Sequence, residues 1–344
     1  MGVQITELLA GEEIALDRLK GKILAVDAHL FLYQFLTTIR QPDGTPLSDS
    51  KGNVTSHLIG LFTRSTSLMR HGIKLAYVFD GKPPKLKEKE REKRKEIKIE
   101  AGKKYKEAVE KEDTEGMRKY AARTSRLTSD MIEESKKLIE ALGLPVVQAP
   151  SEGEAQAAFI VKNHGAFAVA SQDADSLLFG APRLIRNLSM AGRRKRTNKL
   201  AYETIKPQLI SLSDTLNTLK IDQGQLIALA MLVGTDFNPG GIKGIGPKNA
   251  LKLVTKHGND FDALFQEVKW DGQNEVPWTE IFYLIQKMPA TEDYHLGWKS
   301  PHQENIIKLL VDEHDFSLER VQSTLEKFKE ETSSRQQKGL GEFF

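Results

Sequence analysis

The 344-residue chain has no cysteine, which excludes disulfides, thiolate zinc sites and a cysteine nucleophile. It has no apolar run approaching the roughly 20 residues that a membrane span needs. The opening MGVQITELLAGEE lacks a basic region followed by an apolar core, so no secretory signal is expected. With 39% hydrophobic and 28% charged residues, the chain is expected to be globular and soluble, with one large or two moderate domains; the absence of cysteine fits an intracellular protein without demanding it. Without thiols, any metal must be held by oxygen or histidine. There is little net charge either, +3 in all, but it is unevenly spread. Lys82 to Arg126 carries 17 Lys/Arg against 10 Asp/Glu, leaving 33 against 37 elsewhere from totals of 50 and 47. A basic insertion on a slightly acidic body suits a polyanionic substrate.

What is present centres on Gln148–Gly180, QAPSEGEAQAAFIVKNHGAFAVASQDADSLLFG, which sets Glu152, Glu154, Asp173 and Asp175 at the ends of apolar runs. Ala166–Ala170 reads as a buried strand. If the backbone stays extended beyond it, Asp173 and Asp175 point to one side, where two ionised carboxylates need a cation between them. Simpler readings stand beside this one: an Asp-rich turn, an acid in a first helical turn at Glu152, and a capping box closed by Ser151 and Glu154. Lys22–Val26 and Lys74–Phe79 read as further buried strands, ending at Asp27 and Asp80. The strand–helix–strand order predicts an α/β fold with a mostly parallel sheet, in which ligands bind at the carboxyl ends of the strands. Asp27, Asp80 and Asp173 all fall there, and an oxygen-rich site of this kind favours Mg²⁺ or Mn²⁺.

The rest follows in order. The loop Arg40–Asn53 is rich in turn residues. Val54–Arg70 and Thr128–Ala141 have helical periodicity, and Leu144–Gln148 reads as a strand. The charge-dense Lys85–Arg126 is expected to be an exposed helical segment, either a solvated face or a substrate contact. Arg183–Ser189 and Leu200–Tyr202 are expected to form a hairpin around the basic loop Arg193–Arg196, a phosphate-facing patch or, more weakly, a nuclear-localisation signal. Ile221–Val233 predicts a helix leading to Asp236. Gly244-Ile245-Gly246 and Pro247 then suggest a helix-hairpin-helix that meets duplex phosphates through backbone N–H groups, with Lys243, Lys248 and Lys252 around it. From Asp260 to about Lys329 the chain reads as helices interrupted at Asp271–Pro277, with Trp270, Trp278 and Trp298 as packing anchors. The polar end is expected to be disordered.

The segments VDAHLFLYQFL, YVFDGKPPKLK, APSEGEAQAA, SQDADSLLFG and LVGTDFNPGGIKGIGPKNALKLV resemble the flap endonuclease branch of the XPG family of structure-specific 5′ nucleases, of archaeal type. The resemblance covers nearly the whole chain. It implies a PIN-like (Rossmann-like) sheet with helices on both faces, a helical arch and a helix-hairpin-helix DNA-binding region. Its divisions are a nuclease region over 1–105 that includes the start of the arch, an internal nuclease region over 106–219, a helical region over 220–329 and a flexible tail over 330–344. The implied chemistry is hydrolysis of phosphodiesters at the base of 5′ flaps, with 5′-3′ exonuclease activity, in Okazaki fragment maturation and repair. It uses two Mg²⁺, for which Mn²⁺ substitutes: Asp27 and Asp80 serve one ion, Asp173, Asp175 and Asp236 the other, with Glu152 and Glu154 between. Lys87 and Arg94 match arch residues that steady the scissile phosphate, and Tyr33 matches an aromatic that stacks on a nucleotide. Gly2 matches a free amino terminus, and Arg40–Asn53 a wedge at the junction. The hairpin at Gly244 and Gly246 implies K⁺ at a duplex contact. At His29 the family commonly has a small residue, which puts local packing in doubt. The end Gln337-x-x-Leu340-x-x-Phe343-Phe344 resembles a sliding-clamp docking peptide, its residues three apart sharing a face in a 3₁₀ turn. A monomeric protein is expected, cytoplasmic for the archaeal type and nuclear if eukaryotic. A 5′ exonuclease or junction resolvase of the same family, and a non-catalytic clamp adaptor, remain alternatives; the intact set of acids weighs against the adaptor.

Overall fold

Alternate residues along each central strand belong to two different apolar clusters, and this places the sheet between two helical layers. Ala25, Val78, Val147, Val169 and Leu184 face one cluster. Leu24, Val26, Tyr77, Phe79, Ala170 and Ile185 face the other. Strands buried on both sides read as continuous apolar runs, so the text of KILAV, KLAYVF and AFAVA follows from their place in the sheet. The computed structural model describes residues 2–111, 113, 115–116, 120, 124–188, 192–195 and 202–341, the side chains at 89, 93, 106, 109, 192–195, 202–204 and 332–341 excepted. Arg196, Leu200, Phe343 and Phe344 lie outside the described residues, as do the side chains of Arg193, Arg194, Lys195, Gln337 and Leu340.

The main sheet has seven strands in the order β1-β9-β6-β5-β2-β3-β4. They are β1 (Gly11–Glu13), β2 (Ile23–Asp27), β3 (Lys74–Phe79), β4 (Val146–Gln148), β5 (Ala168–Ala170), β6 (Arg183–Arg186) and β9 (Gln208–Ser211). The five strands from β6 to β4 are mutually parallel, and β9 and β1 join antiparallel. The chain builds outward from β2 through β3 to β4, then returns across β2 to β5 and β6. That makes the gap between β2 and β5 a switch point, where a crevice opens at the carboxyl ends of the strands.

Helices α1 (Ala28–Thr38), α2 (Ser56–Arg70) and α4 (Ser129–Ala141) cover one face. On the other lie α5 (Gly153–Lys162) and α8 (Gln223–Val233). Helix α3 (Glu88–Glu110) is the charge-dense helix that the sequence predicts; two of its aliphatic side chains, Ile97 and Ile99, are each 53% exposed, while Ala101 and Ala108 are buried. Helix α8 is buried all round and carries a complete capping box between Asp222 and Gln225. The amide of Gln225 reaches the Val254 carbonyl of α9 (Pro247–His257) at 2.9 Å, tying the two helices that flank the G-I-G turn. Trp270, Trp278 and Trp298 are anchors, as expected: Trp270 is fully buried, Trp278 stacks on Phe265 at 4.8 Å, and Trp298 donates to the Leu75 carbonyl.

Four expectations are corrected. Arg183–Arg186 pairs with β5 and β9 and not with Tyr202; Leu184 and Ile185 are fully buried, so the strand belongs inside the sheet. The basic segment is itself a strand: β7 (Gly192–Lys195) pairs with β8 (Tyr202–Ile205) in a separate ribbon. Residues 288–302 are not helical. They form a strap tied to the body of the main sheet, with the Gln156 amide bonded both ways to Thr291 and with Lys299 and His302 donating to the Gly143 and Ala141 carbonyls. Finally, helical backbone from Leu318 runs on to Gly341 through the polar end, and Arg70 of α2 holds Glu331 at 3.0 Å. Among the described residues no helix is long and apolar enough to cross a membrane.

Candidate active site

Asp27 ends β2, Asp80 follows β3 directly, and Asp173 lies three residues past β5. Strand geometry alone therefore delivers three carboxylates to the switch-point crevice. Each is then fixed locally. Asp27 caps α1, accepting from the Leu30 amide at 3.1 Å. Asp80 accepts from the Gly153 amide at 2.6 Å, and a Cβ on Gly153 would sit 2.7 Å from that oxygen, so the approach requires glycine. Asp173 and Asp175 are not in extended chain: Asp175 opens the short helix α6 (Asp175–Leu178). Their carboxylates still share a side, because consecutive amides at Gly2 and Val3 capture them at 2.9 and 2.7 Å. A Cβ at Gly2 would stand 2.5 Å from Asp173.

Glu152 and Glu154 do not build a capping box. Glu152 is the N-cap of α5 with no side-chain cap bond, and the Ser151 hydroxyl goes to the Lys82 carbonyl. Both acids turn instead to the crevice. Glu154 meets the Ser171 hydroxyl at 2.9 Å, and the same hydroxyl lies 3.3 Å from Asp27. Having one proton to donate, Ser171 serves either acid in turn while accepting from the Asp173 amide at 3.3 Å. Sequence reasoning missed Ser171; its signal was its place at the strand end in SQDAD. It also assigned His29 to packing alone. The His29 Nδ1 accepts from the Asp80 amide at 3.1 Å and stands 3.3 Å from the Asp80 carboxylate. Burial first, and Lys136 with it, lowers the His29 pKa against the pull of Asp80, favouring neutral imidazole.

Asp236 comes from the loop after α8, and two cations of the charge-dense segment meet it. Lys87 pairs with Glu152 and, at 3.2 Å, with Asp236; Arg94 donates to Asp236 at 2.6 Å and to Glu90 at 2.8 Å. Beneath α3 a cavity of about 610 Å³ is lined by Arg91, Arg94, Lys95, Lys98 and Arg126 as well as Glu88 and Glu92. Tyr33 is half-buried rather than core, with the Lys98 ammonium 5.1 Å over its ring. The structure thus brings together all seven acids, Lys87, Arg94 and Gly2, while Tyr33 meets Lys98 of the charge-dense helix. It sets Lys243, Gly244, Gly246 and Lys248 apart, on an exposed turn leading into α9. There only Gly244 of the two glycines has positive φ, +84°; Gly246 is the extended N-cap of α9.

The electrostatics are strongly polarised. Burial, then the neighbouring Asp80, pushes the Asp27 carboxyl up to about 8. Burial with Asp175 and Asp27 holds Glu154 well above its ordinary value, and burial raises Asp175 to about 6. Glu152 is raised by burial despite Lys87. Asp236 moves the other way, because Lys87 and Arg94 outweigh its burial. Burial alone would lower Lys87, but Glu152 and Asp236 hold it charged. Among the described residues no three Asp, Glu or His side chains are already drawn around one point at ligating distance; the acids are engaged by backbone amides, Ser171 and the two cations. The donor set nevertheless fits a divalent cation: it is all oxygen, buried, and destabilised by its own repulsion.

Two family models match, the XPG N-terminal domain over residues 1–101 and the XPG I-region over 143–236. Flap endonuclease 1 of Hyperthermus butylicus is 54% identical over 96% of this chain and 94% of its own. That of Pyrococcus furiosus is 52% identical over 100% and 99%. The chain belongs to the flap endonuclease branch of the XPG family. Flap endonuclease-1 from Methanococcus jannaschii has the same fold, with a TM-score of 0.75 and 42% identity over 97% of this chain and 100% of that one. The catalytic core of Rad2 in complex with DNA substrate, 24% identical over 94% and 97%, has a TM-score of 0.65 and shares the fold alone. Flap endonucleases use divalent metal ions, and the carboxylate crevice is where this chain has the chemistry to hold them.

Two outcomes are expected. Ser171→Ala should lower divalent-ion affinity by about 10–100-fold, the usual effect of losing an outer partner of a ligand, with little change in melting temperature; calorimetric titration checks it. In EDTA, stability should fall as pH rises from about 4 to 8. Asp27 and Asp175 keep protons in the fold that the unfolded chain has already lost, so the folded state binds more protons. Melting curves across that range, with and without divalent ion, read the effect, and saturating ion should flatten it.

Proposed function

We propose that the protein is a 5′ flap endonuclease that hydrolyses the phosphodiester at the base of a flap during replication and repair, with 5′-3′ exonuclease activity on related ends. The observation that carries this is the convergence of seven carboxylates at the switch point, met by Lys87 and Arg94 from the base of a charge-dense helix and the turn that leads into it. Asp27 and Asp80 would hold one Mg²⁺, Asp173, Asp175 and Asp236 a second, with Glu152 and Glu154 between; Mn²⁺ would substitute. The bound ions supply the charge that activates a water and steadies the leaving oxygen. Lys87 and Arg94, paired with acids in the substrate-free protein, would exchange those partners for the scissile phosphate as it enters. Both remain charged throughout, because neither can shed its proton against so many acids. Tyr33 would stack a nucleotide beside the cut, and the Gly2 amide keeps Asp173 aimed.

The exposed turn at Gly244 and Gly246, with Lys243 and Lys248, supports a duplex contact through backbone N–H groups and K⁺. The loop Arg40–Asn53 is pinned by Arg40 to Ser125 and by Asp49 and Ser50 to His314 and Asp315, which suits a rigid wedge. The clamp-docking reading of Gln337, Leu340, Phe343 and Phe344 rests on the sequence pattern, at the end of a helix that runs to Gly341. We further infer a cytoplasmic, monomeric enzyme whose partners are branched DNA and a sliding clamp.

On a double-flap substrate, cleavage should require Mg²⁺, and Asp175→Ala should abolish it while leaving flap-DNA affinity intact or higher, since the site's acids repel phosphate. Equal loss of cutting and binding in a folded variant would contradict the assignment. Replacing Phe343 and Phe344 with Ala should abolish clamp binding and clamp stimulation, with basal cleavage unchanged, as hot-spot aromatics cost about 2 kcal/mol or more when truncated. Calorimetry with the cognate clamp and paired cleavage assays check this.

A further inference from the structure

We infer that a groove beside the base of α3 receives the unpaired 5′ arm of the DNA and stacks one of its bases on Tyr283. This rests on the reading of the crevice as a flap nuclease site. The groove, about 910 Å³, is lined by Pro84, Lys85, Leu86, Tyr283, Leu284 and Lys287. It shares a wall with the carboxylate crevice. Lys87 turns inward to Glu152 and Asp236, while Lys85, two residues earlier in the same turn, faces the groove and is exposed. Ser151, on the groove wall, immediately precedes Glu152. A single strand leaving the crevice past Lys87 therefore meets this surface next.

The chemistry suits unpaired nucleotides. Tyr283 lies on α11 (Trp278–Gln286) and is 50% exposed, one of the few large hydrophobic side chains left open among the described residues. Its ring is held edge-on to the buried Phe282 at 5.6 Å, and the Lys287 ammonium lies over the ring, 5.3 Å from its centroid. An exposed aromatic ring paired with a mobile cation can offer a base its face and the phosphate a counter-charge, and stacking of this kind tolerates any sequence. Lys85 and Lys287 outnumber the one acid on the rim, Glu280, which fits a polyanion. Pro84 and Leu284 give the stacked base an apolar floor.

The test uses the full chain and a series of flap substrates that differ only in the length of the 5′ arm, together with the same junction lacking the arm. Fluorescence anisotropy should show that Tyr283→Ala weakens binding to long-armed substrates by about tenfold, in the range that one stacked base supplies. Binding to the armless junction, the melting temperature and the cleavage rate at saturating enzyme should stay as in wild type. Tyr283→Phe should retain the arm-dependent affinity, Lys287→Ala should lose part of it with a shallower salt dependence, and oligo(dT) should compete for it. The proposal is overturned if Tyr283→Ala weakens armed and armless substrates equally, if it weakens neither, or if the groove proves to bind another protein while arm-dependent affinity persists. If wild type fails to cut the flap, the nuclease reading fails; arm-dependent binding through Tyr283 is measured separately and stands or falls by its own result.

Discussion

Repulsion among buried carboxylates is the constraint around which this structure is arranged. Asp27, Glu154 and Asp175 have their pKa values raised, and in each case burial is the leading cause. A fold tolerates such a cluster only if other elements hold it in place. Here that work is done by backbone amides at Gly2, Val3, Leu30 and Gly153, by one shared hydroxyl at Ser171, and by Lys87 and Arg94. The sheet beneath supplies the rigidity, with apolar layers on both faces. A site destabilised by its own charge is one that gains on meeting cations, which is how strain at a functional centre is put to use.

The cations that close the site come from α3 and the turn that leads into it. Helix α3 is mostly charged, and Arg94 on it and Lys87 in the turn just before it anchor its base to the crevice acids. An anchor made of exchangeable ion pairs can be traded for a phosphate without disturbing the sheet. The basic cavity beside α3, the exposed Gly244 turn and the loop Arg40–Asn53 lie on different elements, each secured independently to the body. A branched polyanion with several arms is the kind of ligand that could engage surfaces dispersed in this way.

The frame of the site was readable because its strands are short apolar runs that each end in an acid. Asp27, Asp80 and Asp173 announce themselves by that break in composition. What stayed hidden depends on partners distant in sequence. Nothing near Ser171 says that it will lie between Asp27 and Glu154, and Ser151-x-x-Glu154 satisfies the local rule for a cap while tertiary charge claims Glu154 for the crevice. His29 looked like a packing residue until β3 brought Asp80 beside it. The pairing of β6 with β9 was obscured because the intervening ribbon offered a nearer, equally strand-like partner. Residues 288–302 looked helical from their surroundings, yet their backbone groups are satisfied by the core they cross.

Central to this account is that burial, reinforced by mutual repulsion, keeps protons on the crevice acids and that divalent ions displace them. Calorimetric titration of Mn²⁺ into the metal-free protein at pH 7, repeated in buffers of different ionisation enthalpy, counts the protons released on binding. With Asp27 held near 8 and Glu154 well above its ordinary value, binding should release protons, and Asp27→Asn should reduce the number. Saturable binding with no proton release in any buffer would contradict the account.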